Sequence, residues 1–257
     1  MGHTVLTCHT EKDLFEAAAQ FICDKAPSSP TPASSFSIAL SGGSTPRGLF
    51  RLLAAEPYRS RCYWPAFKVF WGDERCVPPD HPDSNYLMAQ KTLLDHVSIP
   101  PQQIFRMEGE CKPEEAALNY EHVIQEQVSR GNQEFPRLNL VLLGMGQDGH
   151  TASLFPGTTA LQENQRIVVA NWVEKLHSFR ITLTPPVLNA AQEVLFLISG
   201  KDKAPAVQAV LEGPKQPQVY PSQLVSPSWG HVTWIMDQAA ASLLKNTVVT
   251  TWTRKGV

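Results

Sequence analysis

What this sequence has little of narrows it first. Charge is sparse: 18% of its 257 residues are Asp, Glu, Lys or Arg, with 22 basic side chains against 24 acidic ones. A net charge of -2 supplies no general basic field to gather nucleic acid or to coat an anionic membrane, so an anionic ligand needs a local pocket. Cysteine is scarce, and Cys8, Cys23, Cys62, Cys76 and Cys111 never stand as a Cys-x-x-Cys pair. They read as reduced thiols, not as a disulfide frame or a zinc site. No run approaches the ~20 apolar residues of a membrane helix. Acids and a base arrive in MGHTVLTCHTEKDLF before any apolar run of signal-peptide length. We expect a cytoplasmic protein that engages neither membrane nor nucleic acid.

What is present is a large apolar fraction, 42%, enough for a substantial core and for one domain over residues 1–257. Short β-rich runs alternate with helical ones, which predicts an α/β fold: an open, mostly parallel twisted sheet flanked by helices, Rossmann-like in plan. The predicted strands run from Val5 to Cys8, Phe36 to Leu40, Lys68 to Trp71, Leu138 to Leu143, Ile167 to Ala170, Arg180 to Leu183, Val194 to Ile198 and Val232 to Ile235. The clearest helix is PEEAALNYEHVIQEQV, in which Pro113 suits the first turn and Ala117, Tyr120, Ile124 and Val128 share one face, expected to pack on the sheet. Two proline- and serine-rich patches, SSPTPASS near residue 30 and the stretch from Pro214 to Pro227, read as surface loops.

Open α/β sheets bind ligands beyond the carboxyl ends of their strands, which directs attention to the loops after Leu40, Trp71, Leu143 and Ile198. After Leu40 come Ser41, Gly42, Gly43, Ser44 and Thr45, then a helix opened by Pro46. Glycines that let the backbone approach a ligand, with hydroxyls and unpaired N–H groups at a helix start, suit a phosphate; the alternative is a tight turn with a Ser or Thr cap. This loop matches neither the P-loop nor the dinucleotide fingerprint. After Leu143, the run Gly144 to His150 thrusts Asp148 and His150 out together. Histidine, with an unperturbed pKa of about 6.5, is suited to proton transfer near neutrality, and no Cys/His/carboxylate set nearby completes a metal site. After Trp71 stand Asp73, Glu74 and Arg75, three charges that call for partners, followed by Ser84 as a cap for the next helix. Lys203, in the first turn of a helix after Ile198, opposes the helix dipole unless an anion sits beside it. Arg180 offers a second, bidentate grip.

With these residues in view, the chain resembles the 6-phosphogluconolactonases, which share a sugar-phosphate isomerase/deaminase superfamily with glucosamine-6-phosphate deaminases. The resemblance rests on SGGSTP from Ser41, WGDERCVPPDHPDSNY from Trp71, GMGQDGHTASLFPGT from Gly144, RITLTPPVLNAA from Arg180 and SGKDKAPAV from Ser199, in that order. It implies hydrolysis of 6-phospho-D-glucono-1,5-lactone without metal or other cofactor, by a monomer or small homo-oligomer. It also implies roles: His150 as the catalytic histidine, Arg75 placing the substrate, and Arg180 and Lys203 around the phosphate beside Gly42, Gly43, Ser44 and Thr45. Asp148 is expected to orient His150, and Asp73 to line the substrate site. Deaminases continue the Asp-Gly-His turn into Asn-Glu-Pro; here Phe155 replaces the acid, and Arg75 stands where they carry an aromatic residue. A non-catalytic sugar-phosphate sensor is the alternative from another class; it would carry a basic helix-turn-helix extension, which we do not expect here.

Overall fold

A computed structural model describes residues 3–30, 35–131 and 133–253. Its strands are β1 (His3–Cys8), β2 (Phe36–Leu40), β3 (Phe67–Trp71), β4 (Asp73–Arg75), β5 (Leu140–Leu143), β6 (Val168–Val173), β7 (Ser178–Leu183), β8 (Glu193–Ile198), β9 (His231–Asp237) and β10 (Thr250–Thr251). Its α-helices are α1 (Glu11–Lys25), α2 (Ser44–Leu53), α3 (Tyr58–Arg61), α4 (Asn85–Thr92), α5 (Pro113–Gln127), α6 (Pro185–Ala190) and α7 (Ala204–Glu212).

Seven strands form one parallel sheet in the order β10-β1-β9-β8-β5-β2-β3. Two of its interior strands, FSIAL and LVLL, are buried at every position, as expected of parallel strands covered on both faces. From β2 the chain moves outward to β3, whereas from β5 it moves the opposite way to β8. The crevice between the carboxyl ends of β2 and β5 is therefore the topological switch point, where an open α/β sheet binds its ligand.

All eight predicted strands are present, but two of them belong elsewhere. β6 and β7 join β4 in a separate antiparallel sheet of order β4-β7-β6. The segment after Trp71, read from the sequence as a loop, is thus partly strand. Gly72 makes the transfer: its N–H donates to Leu40 O of the large sheet and its carbonyl accepts from Leu183 N–H of the small one, both at 2.9 Å. Ala117, Tyr120, Ile124 and Val128 are buried as predicted, yet α5 packs chiefly on β6 and β7. The buried Glu121 fastens it there, accepting from Ile167 N–H at 2.9 Å and from Arg166 Nε.

Of the two patches read as surface loops, Thr31–Ser34 of the first lie outside the described residues. The second is partly internal. Ser222 and Gln223 are buried, and the Gln223 amide donates to Ala209 O and Pro214 O while its oxygen accepts from Gln216 N–H. Ser222 braces the turn at Gly149, whose carbonyl accepts both its N–H (2.9 Å) and its hydroxyl (2.8 Å).

Candidate active site

The four loops singled out from the sequence line one cavity of about 470 Å³, within the usual range for a small-molecule site. Ser41 to Thr45, Asp73, Arg75, His150, Arg180 and Lys203 all contribute to its wall.

The Ser41–Thr45 loop delivers helix α2 with its first N–H groups uncapped by any side chain. Gly43 is the N-cap, and its φ of 108° is a conformation glycine adopts without strain. The hydroxyl cap considered from the sequence is not made. An anion at this helix start would meet unspent donors and the positive end of the dipole.

Across the switch point, the turn after β5 holds His150. Its Nδ1 is 2.5 Å from Asp148 Oδ1, and Gly146 permits the pair: a Cβ there would lie 2.1 Å from Nδ1. Lys175 Nζ bonds Asp148 Oδ2. Burial alone would push the Asp148 carboxyl up, but the hydrogen bonds from His150 and Lys175 outweigh it and hold the group well below the usual carboxylate range. An ionised Asp148 is acceptor-only, so Nδ1 carries the proton and Nε2 is left as a base. The imidazole stacks on Phe155, centroids 4.1 Å apart.

The run Gly144 to Gly149 also satisfies G-x-G-x-x-G spacing. No helix follows it; the chain goes into the Thr151–Leu154 bridge. The pattern therefore lacks the helix start that a dinucleotide pyrophosphate needs. Within that bridge Ala152 is left-handed at φ 46°, a strained conformation for a residue with a Cβ, and it lines the cavity. The turn brings Ser153 Oγ to 2.6 Å from Asp73 Oδ2.

The three charges after Trp71 have separate fates. Glu74 is buried and faces α4, accepting from the N–H groups of Asn85 (2.7 Å) and Tyr86 (2.8 Å) and from Ser84 Oγ; burial pushes its carboxyl up. Ser84 caps α4 as predicted, accepting from Leu87 N–H. Arg75 and Arg180 are direct cross-strand partners. Like charges placed opposite one another repel, and burial first, then Arg75, pulls the Arg180 guanidinium down from an ordinary arginine. Asp73 offsets part of that charge, and an anion between the arginines would offset more. Lys203 differs from expectation: it stands just before α7 as its N-cap, and Asp202 Oδ2 at 3.6 Å partly balances it. Among the described residues no group of three or more His, Cys, Asp or Glu is arranged to hold a metal ion.

A family model described as glucosamine-6-phosphate isomerases/6-phosphogluconolactonase matches residues 9–234. The chain belongs to that family. A 6-phosphogluconolactonase of Nostoc sp. is 44% identical over 210 residues, spanning 81% of this chain and 85% of its own. One from Haemophilus influenzae is 36% identical over 207 residues, 80% of this chain and 87% of its own. The solved 6-phosphogluconolactonase from Trypanosoma cruzi superposes with a TM-score of 0.83 at 31% identity, over 95% of this chain and 97% of that one. A monomeric glucosamine-6-phosphate deaminase, at 23% identity and a TM-score of 0.78, shares the fold.

Within the family's frame, sequence reasoning missed Lys175 and Ser153. Lys175 lies in NWVEKLHS, which reads like any exposed hairpin. Ser153 has no local signal at all; its partner is 80 residues away. No helix among the described residues is long and apolar enough to cross a membrane.

Proposed function

We propose that this chain is a 6-phosphogluconolactonase that hydrolyses 6-phospho-D-glucono-1,5-lactone to 6-phospho-D-gluconate, the second step of the oxidative pentose phosphate pathway, with His150 as its general base. The observation that carries the mechanism is the imidazole whose Nδ1 is committed to Asp148 at 2.5 Å beside two facing arginines in one cavity. Arg180, Lys203 and the uncapped N–H groups of the Ser41–Thr45 loop grip the 6-phosphate, which fixes the lactone carbonyl near His150.

Water then attacks C1 while His150 Nε2 takes its proton. The carbonyl electrons move to oxygen, where Arg75 or the backbone N–H groups of the glycine turns stabilise the oxyanion. Collapse breaks the bond from C1 to the ring oxygen, and the imidazolium returns the proton to that oxygen. The product is a single open-chain acid that carries the former ring oxygen as a free hydroxyl. Phe155 supports the lactonase over the deaminase reading: its ring stacks on His150 at the sequence position where the resemblance implies a ring-opening acid in deaminases. Cytoplasmic placement belongs to the same proposal, supported by five free cysteines.

The test is direct. The lactone is generated in situ with glucose-6-phosphate dehydrogenase at mildly acidic pH, where spontaneous hydrolysis is slow, and its disappearance is followed with and without the protein. Acceleration is expected; a rate equal to the blank would remove the proposal.

A further inference from the structure

One side chain outside the predicted set reaches the His150 turn from the other sheet. Lys175 lies in the turn Glu174–Leu176 between β6 and β7 and lines the cavity. Its Nζ bonds Asp148 Oδ2 and lies 4.6 Å from the centroid of Phe155, the ring that stacks on His150. Its side chain is 52% exposed, so burial does not hold it there; a carboxylate and an aromatic face do.

We propose that Lys175 is a positioning residue that acts through Asp148, fixing Oδ2 so that Oδ1 alone faces His150. The proposal rests on the reading of His150 as base. Without Lys175, Asp148 would be held at Oδ1 alone, by His150 Nδ1 and the His150 backbone N–H (3.2 Å), and its Oδ2 would be free to swing; gripped at both oxygens it has a single orientation. Lys175 also has an electrostatic consequence. It offsets part of the Asp148 charge beside the imidazole. The other charged groups around this trio are Asp73, Arg75, Arg180 and Lys203 on the cavity wall, Glu174 and His177 beside Lys175 in the hairpin, and Asp202, bonded to Gln147 at 2.8 Å. All of them remain in the variants below.

The experiment compares the wild-type chain with Lys175→Ala, Lys175→Arg, Asp148→Asn and the Asp148→Asn/Lys175→Ala double variant. Misplacing a catalytic group by about 1 Å can cost about 100-fold, so loosening one of the two holds on Asp148 should lower kcat by about tenfold in Lys175→Ala. Its KM should stay within about twofold of wild type, and Lys175→Arg should recover most of the rate. In the Asp148→Asn background, Lys175→Ala should add nothing, because the path through Asp148 is already cut. The acid limb of kcat/KM should move up by about half a pH unit in Lys175→Ala, since a cation has left the neighbourhood of the base. A raised KM with kcat intact would make Lys175 a substrate ligand and overturn the proposal, as would a full additional loss in the double variant.

An NMR titration of the His150 imidazole without substrate separates this inference from the reading beneath it. An upward shift in Lys175→Ala supports the coupling even if His150→Ala were to keep its turnover, which would defeat only the general-base reading. No shift would defeat the coupling whatever His150→Ala does.

Discussion

The site is shared between two sheets that were built for different tasks. The parallel sheet supplies the Ser41–Thr45 cradle and the His150 turn from the ends of β2 and β5, strands buried at every position. The small antiparallel sheet supplies cations: Arg75 from β4, Arg180 from β7 and Lys175 from the hairpin between β6 and β7. One side holds a proton acceptor in a fixed orientation; the other gathers positive charge and leaves it incompletely balanced. On the proposed mechanism, the base belongs to the parallel sheet while the phosphate grip draws on both, Arg180 from the small sheet and the Ser41–Thr45 loop and Lys203 from the large one, and mutations should separate base from grip.

The sharpest break in that comparison comes from His150→Ala. Losing the base should lower kcat by about a thousandfold while leaving KM nearly unchanged, because general acid–base catalysis contributes on that scale and the phosphate grip remains. Steady-state kinetics on the enzymatically generated lactone measure both constants, and near-normal turnover would remove His150 from the role.

The converse comes from the cations of the phosphate grip, Arg180 of the small sheet and Lys203 at the start of α7. Arg180→Ala should raise KM by about 10- to 100-fold, the loss expected of one charge-assisted hydrogen bond, with a smaller effect on kcat. Lys203→Ala should have the same sign and a smaller size, since Asp202 already offsets part of its charge. If either substitution reduced kcat as much as His150→Ala does, with KM unchanged, the division between grip and chemistry would be lost.

The large-sheet side was the more legible of the two, for a physical reason. FSIAL and LVLL are continuous apolar runs that end in glycine-rich loops, so both the strand and the place where function begins are written locally. The small sheet is not local. RITL looks the same whether it joins a parallel sheet or pairs antiparallel with DER, and a three-residue strand leaves no periodicity to read. The brace at Ser222 and Gln223 was hidden for a related reason: a proline-rich stretch looks solvated until its backbone and amide partners, Gly149, Ala209 and Pro214, are known. The cation at Lys203 was legible as a local conflict, but its neighbour Asp202 resolves part of that conflict in a way that spacing alone did not reveal.

The smallest expected effect concerns the joint between the sheets, the ion pair of Asp148 and Lys175. The folded Asp148 carboxyl titrates below the value of about 3.9 it has in an unfolded chain. The stability it contributes is therefore present above that unfolded value and is lost as pH falls from there through the folded one. Asp148→Asn lacks the contribution throughout. The melting-temperature gap between wild type and Asp148→Asn should thus narrow between about pH 5 and about pH 3, by a few degrees at most because the pair is partly exposed. Differential scanning measurements across that window test it. A gap that stayed constant with pH would mean that packing around Gly146 and Phe155, not the ionised carboxylate, fixes the turn to the small sheet, and the two regions would then be coupled by shape alone.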